Sequence, residues 1–224
     1  MLTPYNPEAW ECLLISSGLI SRYAHIPESL CTSFTACTPL ISSTYTPPNH
    51  PSILEHRDAF KSSVTKEFTL SRYLGPYSQS EIKSVFGRFQ TSPLSIIPKP
   101  GRPGKFRIIQ NLSFPHSSEP VPSINSRISS DLFPCTYGTF TIVSHLISCL
   151  PPGSQAAIWD VSEAYRTVPL HPAEWPSLVI RVSPEWFAVD TCLCFGFGPS
   201  GSIYGALAGA GTQLLHAKGI SPIS

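Results

Sequence analysis

Asp160 ends a short apolar run, Ala156-Ala-Ile-Trp, and Tyr165 follows five residues later. A carboxylate at a strand end projects into a cleft while its strand stays buried. It is a hard oxygen ligand of the kind Mg²⁺ takes, and two-metal phosphoryl transfer sets such carboxylates on a rigid scaffold. The plainer role for Asp160 is to cap the turn that follows. Tyr165, with Ala164 before it, packs either in a core or against a nucleotide sugar. Glu163 lies between them but faces elsewhere in most turn geometries, which makes it a poor second ligand. A second constellation is basic: Lys99, Arg102, Lys105 and Arg107 fall within nine residues. Lys105 and Arg107, two apart on a strand, share one face. A guanidinium fork beside an ammonium point charge suits a triphosphate; the plainer alternative is a solvated hairpin. A third is the run Cys194-Phe-Gly-Phe-Gly-Pro-Ser-Gly201. Gly201, Gly205 and Gly209 recur every four residues and share one helix face, with Ala206 and Ala210 alongside. Each glycine costs a helix roughly 1 kcal/mol, so three on one face call for the close approach of another backbone, protein or nucleic acid.

Elements must position these groups. Residues 7–20 carry Pro7 in a first turn and an apolar stripe of Trp10, Leu13 and Leu14, which predicts a short helix. Residues 27–52 are rich in Ser, Thr and Pro and read as a linker or irregular wrap. Phe60, Val64 and Phe68 predict a helix within 53–70. Ser78-x-x-Glu81 is a capping box for a helix that Gly87 stops. Leu94–Ile97 and Phe106–Ile109, joined by Pro-Lys-Pro-Gly-Arg-Pro-Gly, predict a hairpin. A Pro/Ser-rich stretch covers 113–136, and a helix is expected over 140–150. A strand over 156–160 then delivers Asp160. Residues 178–182 and 187–191 read as paired strands, and 200–218 as a closing helix with Gly219 just past it.

The chain has 224 residues, 42% of them hydrophobic, so a packed core is feasible. Only 13% are charged, about half the usual share. The 24 prolines imply many turns, and a net charge of +1 gives no global signal for nucleic acid. Any such binding must rest on local patches. Seven cysteines are scattered without a CxxC pair, which fits free thiols in a reducing compartment better than structural zinc. No basic n-region precedes an apolar run, and no run of 18 apolar residues occurs. The expectation is an intracellular chain without signal peptide or membrane span.

Three runs, taken in order, resemble the motifs of reverse transcriptases. Lys105-Phe-Arg-Ile-Ile-Gln-Asn-Leu-Ser resembles the fingers motif, although Gln110 or Asn111 stands where an acid is common. Asp160-Val-Ser-Glu-Ala-Tyr165 resembles the first metal-binding motif, and Phe195-Gly-Phe-Gly the glycine stretch before the helix beneath template and nucleotide. The similarity covers about residues 92 to 224. Arg72-Tyr-Leu-Gly-Pro-Tyr, Ser92-Pro-Leu-Ser-Ile-Ile-Pro-Lys-Pro, Ala164-Tyr-Arg-Thr-Val-Pro-Leu-His-Pro and Val189-Asp-Thr are more specifically similar to polymerases of the tyrosine-recombinase retrotransposons found in fungal genomes, which would bring residues 60 to 91 inside the similarity as well.

The resemblance implies an α+β fold: a partial right-hand polymerase of fingers and incomplete palm, with an N-terminal helical and irregular extension. The implied divisions are 1–60 for the extension, 61–136 for the fingers and 137–224 for the palm. Asp160 is the implied catalytic and metal-binding residue, with Mg²⁺ as cofactor. Lys105, Arg107, the Val161 carbonyl, Tyr165 and Gly196 are the implied nucleotide-binding set. Tyr165 would exclude a sugar 2′-hydroxyl, which favours DNA synthesis over RNA synthesis. The implied partners are an RNA or DNA template-primer and a dNTP. The family's aromatic-x-Asp-Asp turn, expected after Gly219-Ile-Ser-Pro222, does not occur in the sequence, and Gly209 stands where an aspartate is expected. The expectation is therefore a truncated, inactive fragment of a retroelement reverse transcriptase. Two other readings stand beside it: a non-catalytic nucleic-acid-binding relic, and a domesticated interaction module on the Pro/Ser-rich N-terminal half.

Overall fold

A computed structural model describes residues 3–117, 121–136, 138–155 and 157–220. Four N-terminal helices lead in. Helix α1 (Pro7–Ser16) is capped by the Asn6 side chain, which accepts from the Ala9 amide. Short helices α2 (Ile20–Tyr23), α3 (His25–Thr32) and α4 (Ser52–Glu55) follow, with an irregular segment between the last two. That segment is a wrap: Phe34 bridges to Leu170 and Tyr45 to Gln90. Helix α5 (Arg57–Thr69) comes next, then strand β1 (Tyr73–Ser78) and helix α6 (Gln79–Phe86). Ser78 and Glu81 close the expected capping box, and Gly87 ends the helix at φ 72°.

The hairpin is present as β2 (Leu94–Pro98) and β3 (Phe106–Gln110), antiparallel, with Ile97 opposite Arg107. Helix α7 (Phe140–Ser148) is followed by irregular chain. Strands β4 (Val179–Arg181) and β5 (Trp186–Asp190) and helix α8 (Ser200–Ala217) complete the chain. The main sheet is antiparallel in the order β1-β5-β4. Its centre, β5, alternates between two apolar layers, as a period of two requires. Ala188 joins Phe60, Leu94, Ile96 and Ile180 under α5 and the hairpin. Phe187 and Val189 join Ile82 and Phe89 under α6. A third, larger cluster packs Ile26, Leu30 and Phe34 against Leu112, Ile124, Leu170, Leu178, Ile203 and Leu207. The N-terminal segment thus shares one core with the palm-like segment across residue 60. Each such side chain contributes about 1.5–3 kcal/mol on burial.

Two departures from the sequence reading bear on the site. Residues 157–160 form no strand; Ala156, the first residue of the expected strand, lies outside the described residues. A strand exists only where its amides and carbonyls meet a partner backbone, and this run pairs with no described strand. Ile158 is 94% and Trp159 72% exposed. The second departure is β1, which the sequence reading missed. Gly75-Pro76 reads as a strand breaker, and the ladder to β5 is indeed irregular between Leu74 and Tyr77. All seven cysteines are free thiols. Among the described residues, no helix is long and apolar enough to cross a membrane.

Candidate functional site

The 3-10 turn Ala164–Thr167 carries Tyr165 and is anchored on both sides by ion pairs. On one side, Glu163 adopts a left-handed conformation at φ 54°, which is uncommon for a residue with a Cβ. It accepts hydrogen bonds from Lys66 and from Arg72, the latter at 2.7 Å. Burial opposes its ionisation, but the two cations outweigh that and bring its pKa down to about 2. On the other side, Arg166 is buried. Its Nη1 donates to both Asp190 carboxylate oxygens at 2.8 Å and to the Leu193 carbonyl at 3.1 Å, and its Nη2 donates to Glu67 at 2.9 Å. The guanidinium also lies 5.6 Å from the centre of the Tyr73 ring. Desolvation works against the Arg166 charge, but Asp190, Tyr73 and Glu67 outweigh it and hold its pKa well above the ordinary value.

Between these anchors the Tyr165 ring is half-buried, 4.8 Å from the Phe195 ring and edge-on to Tyr204 at 5.8 Å. The charge of Asp160 is felt at Tyr204. Burial chiefly raises the Tyr204 pKa, to about 12, with further contributions from Tyr5, Asp160 and Tyr165. Tyr5 in turn accepts from the Thr167 hydroxyl at 3.1 Å, so the N-terminal segment touches the same turn.

Gly196, next to Phe195, makes the joint with the hairpin. Its φ is +90°, and a Cβ there would stand 2.8 Å from the Gln110 carbonyl at the end of β3. Only glycine fits both conditions. Asn125 fastens the loop: its Nδ2 donates to the Gly196 carbonyl at 2.7 Å, and its Oδ1 accepts from the Gly198 amide at 2.9 Å.

The structure sets Tyr165 against Phe195, next to Gly196, whose joint takes in the base of the hairpin; Asp160 is exposed, and its tie to this group is only that its charge is felt at Tyr204. Arg107 on β3 and Lys105 just before it are exposed on the side opposite Phe106, Ile108 and Gln110, and form no ion pair with any described residue. Val161 is exposed beside Asp160. Sequence reasoning missed Tyr5, Asn125, Arg166, Asp190 and Tyr204. None of them carried a signal of this role in the local sequence.

The described residues do not fit a two-Mg²⁺ site. Asp160 is exposed, the carboxylates that anchor the Tyr165 turn, Glu163 and Asp190, are held by cations, and Glu174 accepts from the Ala36 and Thr38 amides. No cluster of three or more His, Cys, Asp or Glu side chains suited to a metal occurs among the described residues. The open face of α8 is equally plain: a Cβ on Gly205 or Gly209 would meet nothing within 4 Å. The close approach expected of that face is not made by this chain's own backbone.

No protein-family model and no curated protein sequence matches the chain. Solved structures do. The CSH mutant of prototype foamy virus protease-reverse transcriptase aligns over 96% of this chain and 28% of its own, at 12% identity and a TM-score of 0.52. The foamy viral protease-reverse transcriptase dRH in complex with double-stranded DNA aligns over 81% of this chain and 26% of its own, at 14% identity and a TM-score of 0.48. The chain thus spans about a quarter of the length of these neighbours. The fold is α+β and distantly reverse-transcriptase-like.

Proposed function

We propose that this chain derives from the fingers and first part of the palm of a retroelement reverse transcriptase, and that in isolation it binds template-primer and nucleotide without joining them. The observation that carries the reading is the joint at Gly196. It puts the end of the basic hairpin, the glycine loop and the Tyr165 turn in contact, and those are the three motifs read from the sequence.

In this reading Lys105 and Arg107 meet phosphates from their exposed side of the hairpin. Tyr165, with one edge on Phe195 and Tyr204, presents its remaining face to a deoxyribose. The Val161 carbonyl and Gly196 line the same nucleotide site. Asp160 is the metal-side carboxylate of the parent enzyme. With its neighbours neutralised, it lacks the charge needed to hold two cations about 4 Å apart. The parental partners are an RNA or DNA template-primer and a dNTP, and the fungal retrotransposon origin rests on the sequence motifs. The interaction-module reading keeps its place as the alternative, although Ile26, Leu30, Phe34 and Ile41 of the N-terminal half are core residues.

The test is a salt titration of primer-template binding. Lys105→Ala with Arg107→Ala is expected to weaken binding and to reduce the salt slope by about one for each phosphate no longer neutralised. An unchanged slope would mean that the hairpin is merely solvated. Primer extension by this 224-residue chain in Mg²⁺ or Mn²⁺, abolished by Asp160→Asn, would show that its carboxylates do suffice for two cations and would overturn the non-catalytic reading.

A further inference from the structure

A groove of about 640 Å³ runs between α4–α5 and the β4–β5 turn, remote in sequence from the Tyr165 turn and sharing none of its residues. Its floor and walls are Ile53, Phe60, Val64 and Val182, with prolines 48, 51 and 184 at the edges. Its charged lining residues are Arg57, Lys61 and Arg181, and no carboxylate lines it. Arg181 is structural: its guanidinium donates to the carbonyls of Thr46, Ser183 and Pro184. Arg57 and Lys61 are exposed and enter no ion pair among the described residues. They lie one helical turn apart on α5, close enough to serve one anion together.

The walls are fixed before any ligand arrives. Asn49 donates to the Arg181 carbonyl at 2.6 Å and accepts from the Leu94 amide at 2.9 Å, which ties the groove's rim to both sheets. The same bond decides the kind of ligand. β4 is an edge strand, and an extended peptide would recognise it through free backbone groups. Here Asn49 takes the Arg181 carbonyl, and Thr91 bridges Val179. Recognition is left to an apolar floor and two unpaired cations. The volume lies in the range of small-molecule sites.

We propose that this groove binds a small amphipathic carboxylate of the medium-chain fatty acid class. Its tail lies on Ile53, Phe60 and Val64, and its head lies between Arg57 and Lys61. The site is independent of the polymerase reading.

Decanoate, with the uncharged decanol as control, is titrated into the full chain by calorimetry. One saturable site is expected, with decanoate about tenfold tighter than decanol, as two solvent-facing ion pairs would give. Arg57→Glu with Lys61→Glu should abolish that preference, while circular dichroism stays unchanged because both side chains are exposed. Arg57→Gln alone should reduce it in part. Equal affinity for acid and alcohol, a preference that survives the double charge reversal, or binding lost instead on Ile147→Lys in α7, would each overturn the proposal.

Discussion

Residues 140–161 and 166–194 both read as apolar elements, yet they end in opposite conditions. In the second stretch, from Arg166 through β4 and β5 to Cys194, burial is broken mainly at 171–176 and at the β4–β5 turn, and Val168, Leu170, Leu178, Val179, Ile180, Ala188 and Leu193 are fully buried. In the first, no described side chain of α7 is buried, Phe140 is 87% exposed, and Ile158 and Trp159 stand in solvent. The difference is partners. β5 has a strand on each side and a helix layer on each face, whereas α7 contributes no side chain to any apolar cluster of the described residues and 157–160 pair with no described strand. Apolar periodicity states which face an element would bury, and says nothing about whether something covers it.

The largest effect should come from the polar centre of the covered stretch. Arg166→Ala leaves Asp190 in the core without its cation, while Glu67 beside it keeps only Arg72 at 3.7 Å. The expected loss is about 3–5 kcal/mol in urea unfolding, because a buried charge is left uncompensated. Arg166→Met with Asp190→Leu should recover much of it, since the pair's desolvation cost disappears with its attraction. A loss below about 1 kcal/mol for Arg166→Ala would show that the turn is held by packing alone.

Next in size is Gly196→Ala. The added Cβ meets the Gln110 carbonyl at 2.8 Å, and the backbone stays at φ +90°. The expected cost is about 1–3 kcal/mol, together with weaker template-primer binding as the hairpin shifts. Gly205→Ala on the open face of α8 should do the opposite and stabilise by up to about 1 kcal/mol. If the two variants behave alike, the joint between hairpin and palm is not rigid.

The sequence made some of this architecture legible. The hairpin, the Ser78 capping box, β4, β5 and α8 could be read because local pattern and tertiary setting agree there. β1 could not, because a Gly-Pro pair that normally breaks a strand is tolerated at an irregular point of its ladder. The strand before Asp160 was read and is not there, because four apolar residues specify a strand only when an edge is offered to them. At the site, the glycine loop and Tyr165 stood out by spacing. The Arg166–Asp190 pair did not, since its members are 24 positions apart and each reads locally as an ordinary polar residue.

A smaller effect probes the outer anchor of the turn. Glu163 titrates at about 2 in the folded chain against 4.5 ordinarily. A lowered carboxylate pKa contributes stability above the ordinary value, and that contribution is lost as pH falls from about 4.5 through 2. Glu163→Gln should therefore flatten the acid limb of the stability–pH curve in that window and leave the limb above about pH 5 parallel to the parent. Added salt should shrink the difference, because Lys66 and Glu163 are both substantially exposed. A curve identical to the parent's between pH 2 and 4.5 would mean that the left-handed turn at Glu163 is held by Arg166 alone.

The smallest effect tests the exposed stretch itself. Ile158→Ser removes a large apolar side chain one residue from Trp159 and two from Asp160, a change that in a core would cost several kcal/mol. At 94% exposure almost no apolar surface is returned to water, and no cavity forms. The expected change in unfolding free energy of the isolated chain is within about 0.5 kcal/mol of zero, and Trp159 fluorescence should keep its solvent-exposed maximum. The comparison sharpens if a partner or a continuing chain is supplied. Should that partner cover 157–161, the same substitution would weaken the assembly while still leaving the isolated chain untouched. A loss of about 2 kcal/mol or more in the isolated chain would instead place Ile158 in a core, and the contrast between the two stretches would fail.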